Sequence, residues 1–341
     1  MKSILITGGA GFIGSNFVKH IFYAYPDYRI LLLDALTYAG NLDNIPDDIK
    51  KSSRFEFWYG NVKNPEIVNE LASRVDAIVH FAAESHVARS IFDNAIFYET
   101  DVLGTQVIAN SVVKNKNIQR FVHISTSEVY GTAEMVPMTE DHPLNPMSPY
   151  ASAKAGADRL VYSYWATYKI PATIVRPFNN YGPNQHLEKV IPRFITSAIK
   201  DEPLTVHGTG GSSRDWLYVK DCCAGIDAAL HADSEKVEGQ VFNLGTSADI
   251  DVLAIAQTIL ERLNKPTSLI KYIGDRPGQV NRHLAGIDKV KAVLDWAPKV
   301  DFVEGIEETI KWYTDNESWW DKLKWMKSVP IKTVDGKVEH H

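Results

Sequence analysis

Three glycines spaced three apart, Gly8, Gly11 and Gly14, follow directly on a short apolar run at Ile4–Thr7 and precede a segment with helical periodicity. Few local features constrain a chain as much. A strand whose glycine-rich turn opens a helix begins a βαβ unit, in which the glycines tighten the turn and let a ligand approach bare backbone. The helix N-terminus offers N–H groups and a partial positive charge, so the turn suits an anion such as a pyrophosphate. Twenty positions beyond Gly14 stands Asp34, at the end of a second apolar run, where a carboxylate can accept hydrogen bonds from an adenosine ribose. No arginine or lysine follows in Ala35-Leu36-Thr37-Tyr38 to neutralise a 2′-phosphate, which favours NAD over NADP.

The rhythm continues along the chain. Branched apolar runs at 30–33, 55–59, 77–81, 120–125 and 173–176 alternate with longer stretches of helix-type periodicity. That alternation predicts an α/β fold: a doubly wound (Rossmann) parallel sheet covered by helices on both faces. After Pro177 the sequence turns loop-rich, at Asn179-Asn180-Tyr181-Gly182-Pro183 and Gly208-Thr209-Gly210-Gly211, yet short strand-like runs return at 216–219 and 241–244. The predicted division is a dinucleotide-binding domain at 1–177 with returning segments near 214–245. A smaller, interleaved C-terminal substrate-binding region spans 178–330, and 331–341 forms a tail. His340-His341 read as the remnant of an expression tag.

At 341 residues, 45% hydrophobic and 23% charged, the chain can bury a large core. A net charge of −6 gives no global field for nucleic acid or an anionic membrane, so phosphate groups must be held by local cations. Cys222 and Cys223 are adjacent and are the only cysteines, which excludes a disulfide framework and a zinc spacing. No metal is expected. Nothing at the N-terminus reads as a signal peptide, and no apolar stretch is long enough to span a bilayer, so the expected location is the cytoplasm. Trp319-Trp320 through Trp325 read as aromatic packing against the body.

Tyr150 and Lys154 stand four apart at the start of a helical pattern, Pro149-Tyr150-Ala151-Ser152-Ala153-Lys154, which puts both on one face. A nearby ammonium favours phenolate, so such a tyrosine can take a proton from a hydroxyl as hydride leaves the same carbon. The pair follows the end of the run at 120–125, where doubly wound folds collect their chemistry. His80, at another strand end, reads as structural; His86, beside Ser85, reads as either structural or functional.

Taken together, the glycine turn, Asp34–Asn41, Ala82-Ala83-Glu84-Ser85-His86-Val87, Ser125–Gly131 and Tyr150/Lys154 resemble the extended short-chain dehydrogenase/reductase family, and most closely its nucleotide-sugar 4,6-dehydratase branch. Asn179–Pro183, Glu188-Lys189, Arg214–Val219 and Asp275-Arg276-Pro277-Gly278 extend the resemblance over nearly the whole chain. It implies an NAD-dependent hydro-lyase acting on a nucleotide-diphosphate hexose. Tyr150 would be the base at the C4 hydroxyl, Lys154 would hold the nicotinamide ribose, Thr126 would bond the same sugar oxygen and Glu128 would abstract the C5 proton. Gly8, Gly11, Phe12, Ile13, Gly14, Asp34, Leu36, Thr37 and Gly40 would line the cofactor site, with Asn61, Val62, Ala82, Ala83, Tyr150 and Lys154. Ser85 and Asn179 would touch the sugar, Lys189, Arg214, Asn243 and Arg276 would hold the nucleotide diphosphate, and Glu188 and Val190 would also belong to the substrate site. The apolar stretches 95–113 and 151–168 resemble helices that pair in homodimers of the family.

One departure bears on the chemistry. Dehydratases of this branch carry aspartate before the catalytic glutamate, as the acid for the departing C6 hydroxyl; here Ser127 precedes Glu128. Serine is too weak an acid to replace it, so Glu128 would pass the C5 proton to that oxygen with Ser127 orienting it. Ser-Glu also resembles 4-epimerases and UDP-glucuronate decarboxylases, and a non-catalytic sensor of NAD or nucleotide sugar is the alternative of another class. The run Gln279-Val280-Asn281-Arg282-His283 is less basic than its family counterpart.

Overall fold

The computed structural model describes residues 1–274, 280–332 and 337–340. Its main sheet takes β1 (Ser3–Thr7), β2 (Arg29–Asp34), β3 (Phe55–Tyr59), β4 (Ala77–His80), β5 (Arg120–Ile124), β6 (Ala172–Pro177) and a late strand, β10 (Val241–Leu244). All pairings are parallel and the spatial order is β10-β6-β5-β4-β1-β2-β3. The order reverses between β1 and β4, and that switch point opens the crevice in which doubly wound sheets bind ligands.

Side chains of a strand alternate between faces, and here each face has its own core. Ile4 and Ile6 pack with Phe17 and Val18 of the helix Phe12–Ala24, whereas Leu5 joins Leu31, Leu33, Ile78 and Phe121 on the other side. All are fully buried, worth about 1.5–3 kcal/mol each. The helix Phe12–Ala24 starts from Gly11 with no side-chain cap, which leaves its first N–H groups to a ligand.

A separate core, including Tyr181, Phe194, Trp216, Ile255, Ile306 and Trp320, organises the second region. It supports a three-stranded sheet of β7 (Asn179–Tyr181), β9 (Ser213–Tyr218) and β11 (Asp249–Asp251), and a pair of β8 (Leu204–His207) with β12 (Ile270–Ile273). The tail closes as a hairpin of β13 (Pro330–Lys332) and β14 (Val338–His340).

The run at 216–219 does not return to the main sheet: as β9 it lies between β7 and β11, with Asn179 in register with Trp216. Of the strand-like runs in the returning segment, only 241–244 adds to the main sheet, beside β6. Cys222 and Cys223, in the helix Val219–His231, are buried small core residues. The helical stretch from 95 contains a π-helical segment at Tyr98–Gly104. Trp319 and Trp320 pack inward, but Trp325 is 77% exposed. Among the described residues no helix is long and apolar enough to cross a membrane.

Candidate active site

The turn after β1 works as its glycines require. Gly8 has φ +69°, and a Cβ there would sit 2.5 Å from the Ala82 backbone nitrogen; one on Gly14 would sit 2.4 Å from the Gly8 carbonyl oxygen. Asp34, at the end of β2, accepts the Ala10 N–H at 2.9 Å and the Leu36 N–H at 2.8 Å, which locks strand end and turn together. Burial pushes its carboxyl above the ordinary carboxylate range, against those two bonds. Leu36 spends its amide on Asp34 in a left-handed conformation, φ 48°, and does not line the cavity.

That cavity, of about 480 Å³, runs from the glycine turn to the second region. The other residues expected to bind cofactor line it. Thr126, Ser127 and Glu128 reach it from a short 3₁₀ turn, Ser127–Tyr130, that follows β5 and is capped by Thr126, whose hydroxyl accepts the Glu128 N–H at 3.2 Å. Tyr150 reaches it from the first turn of the helix Pro149–Tyr168, where Ser148 caps and Pro149 sits at a position that needs no N–H. Lys154, one turn on, donates to the Ile124 carbonyl at 2.7 Å.

The electrostatics of this cluster differ in one respect from expectation. Burial pushes the Tyr150 phenol up, the Asp101 and Glu128 carboxylates add to that, and only its hydrogen bond with Thr126 opposes. The Lys154 ammonium does not make the phenol acidic by itself, because burial also lowers the lysine, offset by Asp101 and Asp158. Burial raises Asp101 to about 7.

Ser85, Asn179, Glu188, Lys189, Val190 and Arg214 line the same cavity. Lys189 donates to the Ser85 carbonyl at 2.8 Å, and Arg214 to the Val280 carbonyl at 2.5 Å. Glu188 is buried and accepts from Tyr38 at 2.9 Å and from Arg89 at 3.0 Å, while the Arg89 guanidinium lies 4.3 Å from the Tyr38 ring centre. Asn243 is a correction. It is fully buried below the cavity, accepting from the Tyr130 hydroxyl at 2.7 Å and donating to the Met138 carbonyl at 3.0 Å, so it braces the core and reaches no diphosphate. Arg276 lies outside the described residues.

His80 is structural, bonded to Thr7 at 2.6 Å and Thr105 at 3.0 Å. His86 caps the helix Val87–Phe92 and also lines the cavity. Arg193, Thr205 and His207 line it as well and were not anticipated. For the last two a signal existed: β8 alternates buried Leu204 and Val206 with half-buried Thr205 and His207.

A doubly wound sheet, a glycine turn locked to an acidic strand end, and a Tyr-x-x-x-Lys pair facing one cavity define the extended short-chain dehydrogenase/reductase class. Within it, the chain belongs to the GDP-mannose 4,6 dehydratase family, whose model matches residues 5–309. It is 41% identical over 314 residues to the low-salt glycan biosynthesis protein Agl12 of Haloferax volcanii, covering 92% of this chain and 99% of that one. It is 38% identical over 322 residues to the dTDP-glucose 4,6-dehydratase of an Actinoplanes species, covering 93% and 99%. The crystal structure of dTDP-glucose 4,6-dehydratase from Bacillus anthracis in complex with NAD matches at TM-score 0.87 and 40% identity, over 95% of this chain and all of that one.

Proposed function

We propose that this chain is an NAD-dependent 4,6-dehydratase, a hydro-lyase that converts a nucleotide-diphosphate hexose to its 4-keto-6-deoxy form. The observation that carries the reading is the meeting of Thr126, Glu128, Tyr150 and Lys154 in the cavity that begins at the glycine turn. The residues fit the dinucleotide: a Cβ on Gly8 or Gly14 would collide with the backbone that shapes the turn, the first helix is uncapped, and Asp34 can receive the ribose. The relatives named as dTDP-glucose 4,6-dehydratases support it further.

The glycine turn, Asp34 and Lys154 would hold NAD, which would supply the hydride acceptor for C4 and the donor for C6. Tyr150 accepts the proton of the C4 hydroxyl at its phenol oxygen, which Thr126 holds by a hydrogen bond. Lys154, fixed on the Ile124 carbonyl, keeps further N–H groups for a ribose hydroxyl. Once C4 is a carbonyl the C5 hydrogen is acidic, and Glu128 removes it. Lys189 and Arg214 meet the diphosphate and supply the local cations that a chain of charge −6 needs.

Incubation with dTDP-glucose, UDP-glucose, UDP-N-acetylglucosamine and UDP-glucuronate, with products weighed by mass spectrometry, tests this. Loss of water from a hexose is expected. Loss of carbon dioxide, or unchanged mass with inverted stereochemistry, would replace the reading with decarboxylase or epimerase; no turnover would leave a sensor.

The proposal extends to a cytoplasmic homodimer. Its pairing surface would be the helical stretches from 95 and 151, which present the exposed apolar side chains Ile96, Leu103, Tyr162 and Tyr168. Light scattering should return twice the mass of the chain.

A further inference from the structure

The Ser127 hydroxyl lies 3.4 Å from Nδ1 of His283, and Nε2 of the same ring lies 2.7 Å from the Gly131 carbonyl oxygen. A carbonyl only accepts, so Nε2 carries a hydrogen. The ring is fully buried, and burial holds His283 below the ordinary histidine range, with Glu128 pulling upward and Arg214 and His142 pulling down. In the neutral ring Nδ1 is a lone pair, and the one hydrogen available to bridge the two side chains is that of Ser127. Ser127 therefore turns oxygen lone pairs, not its hydrogen, to the cavity it lines.

We infer that Ser127, its hydrogen held by His283, accepts a hydrogen bond from the departing C6 hydroxyl, and that Glu128 alone carries the proton from C5 to that oxygen. This rests on the dehydratase reading and adds which groups manage the leaving water. The step balances without a second acid. The Glu128 carboxylate takes the C5 hydrogen as a proton, and the electron pair of the C5–H bond becomes the C5–C6 double bond as the C6–O bond breaks. The departing oxygen keeps that bond's electrons and receives the proton from Glu128, which ends as a carboxylate, and water leaves. With the C6 hydroxyl hydrogen directed at Ser127, a lone pair of that oxygen is left for the Glu128 carboxyl. His283 is a positioning residue: it sits outside the cavity lining and acts through the serine.

The rival arrangement is a charged His283 feeding a proton through Ser127, and the two differ in their pH response. The test uses whichever hexose substrate the full-length protein dehydrates, with His283→Phe and Ser127→Ala. Oxidation at C4 is followed by cofactor absorbance and water loss by quenched mass spectrometry, between about pH 6 and 9. His283→Phe should slow water loss about tenfold, the worth of one oriented hydrogen bond, while the absorbance rise persists and the pH profile of water loss keeps its shape. Ser127→Ala should slow it as much, and the double variant no further; the serine variant alone decides where the phenylalanine variant fails to fold.

Two results overturn the inference alone: unchanged water loss in the variants, or a wild-type rate that falls about tenfold per pH unit on the alkaline side, with that limb lost in His283→Phe. Wild-type protein that oxidises C4 yet releases no water from any hexose overturns the dehydratase reading and this inference with it.

Discussion

Arg176 closes two hydrogen bonds on Asp158, at 2.8 and 2.9 Å, and Ser125 adds a third at 2.7 Å, all within the core that carries Lys154. Burial alone would raise this carboxyl; the guanidinium and the hydroxyl instead hold it well below the usual range. A depressed carboxyl contributes stability that is present above its unfolded value of 3.8 and lost as the pH falls below it. Asp158→Asn should therefore cost about 3–5 kcal/mol at neutral pH, since it leaves the Arg176 charge buried without its partner. Thermal melts against pH should show the gap between variant and wild type narrowing in acid.

Tyr150→Phe should lower the rate of C4 oxidation by about 10²–10⁴ and leave NAD affinity within a few-fold, because the phenol handles the proton and is one contact among many for the dinucleotide. Burial holds the phenol protonated, so the wild-type oxidation rate should climb with pH through the neutral range. Single-turnover absorbance traces and a cofactor titration separate the two effects.

Glu128→Gln should abolish water loss while hydride transfer from C4 to bound cofactor remains detectable. The glutamine keeps the hydrogen-bonding shape of the 3₁₀ turn but cannot take the C5 proton. Absorbance that rises and stays high, with substrate mass unchanged, is the expected trace; normal dehydration would remove Glu128 from the chemistry.

Gly14→Ala should cost both folding and cofactor binding. The added carbon would stand 2.4 Å from the Gly8 carbonyl oxygen, and to relieve that contact the turn must open where a pyrophosphate would lie. Strain of about 1–3 kcal/mol is expected in the melt. The NAD dissociation constant, by fluorescence quenching, should rise at least tenfold for a comparable loss of contact.

The parts that the sequence made legible are those encoded over short distances. The spacing of Gly8, Gly11 and Gly14, the carboxylate at 34 and the pair at 150 and 154 each lie within one turn or one strand end, so local pattern and chemistry suffice. The seventh strand was visible too, as a branched run at 241–244. What stayed hidden depends on partners far along the chain. Asn243 reads as a polar residue near a ligand until Tyr130 and Met138 are seen to consume its side chain. Trp216 leaves the main sheet only because Asn179 and Ile250 flank its strand. His283, 156 positions from Ser127, carries no local mark of their contact.

The bridge from Tyr38 through Glu188 to Arg89 joins the loop after β2 to the segment before the helix Val190–Ile199, and residues of both segments wall the cavity. Parting those walls would break the Tyr38 hydrogen bond to the carboxylate, at a cost of about 1.5–3 kcal/mol. One wall therefore cannot shift without drawing on the other, and a single buried carboxylate ties the cofactor end of the cavity mechanically to its far end.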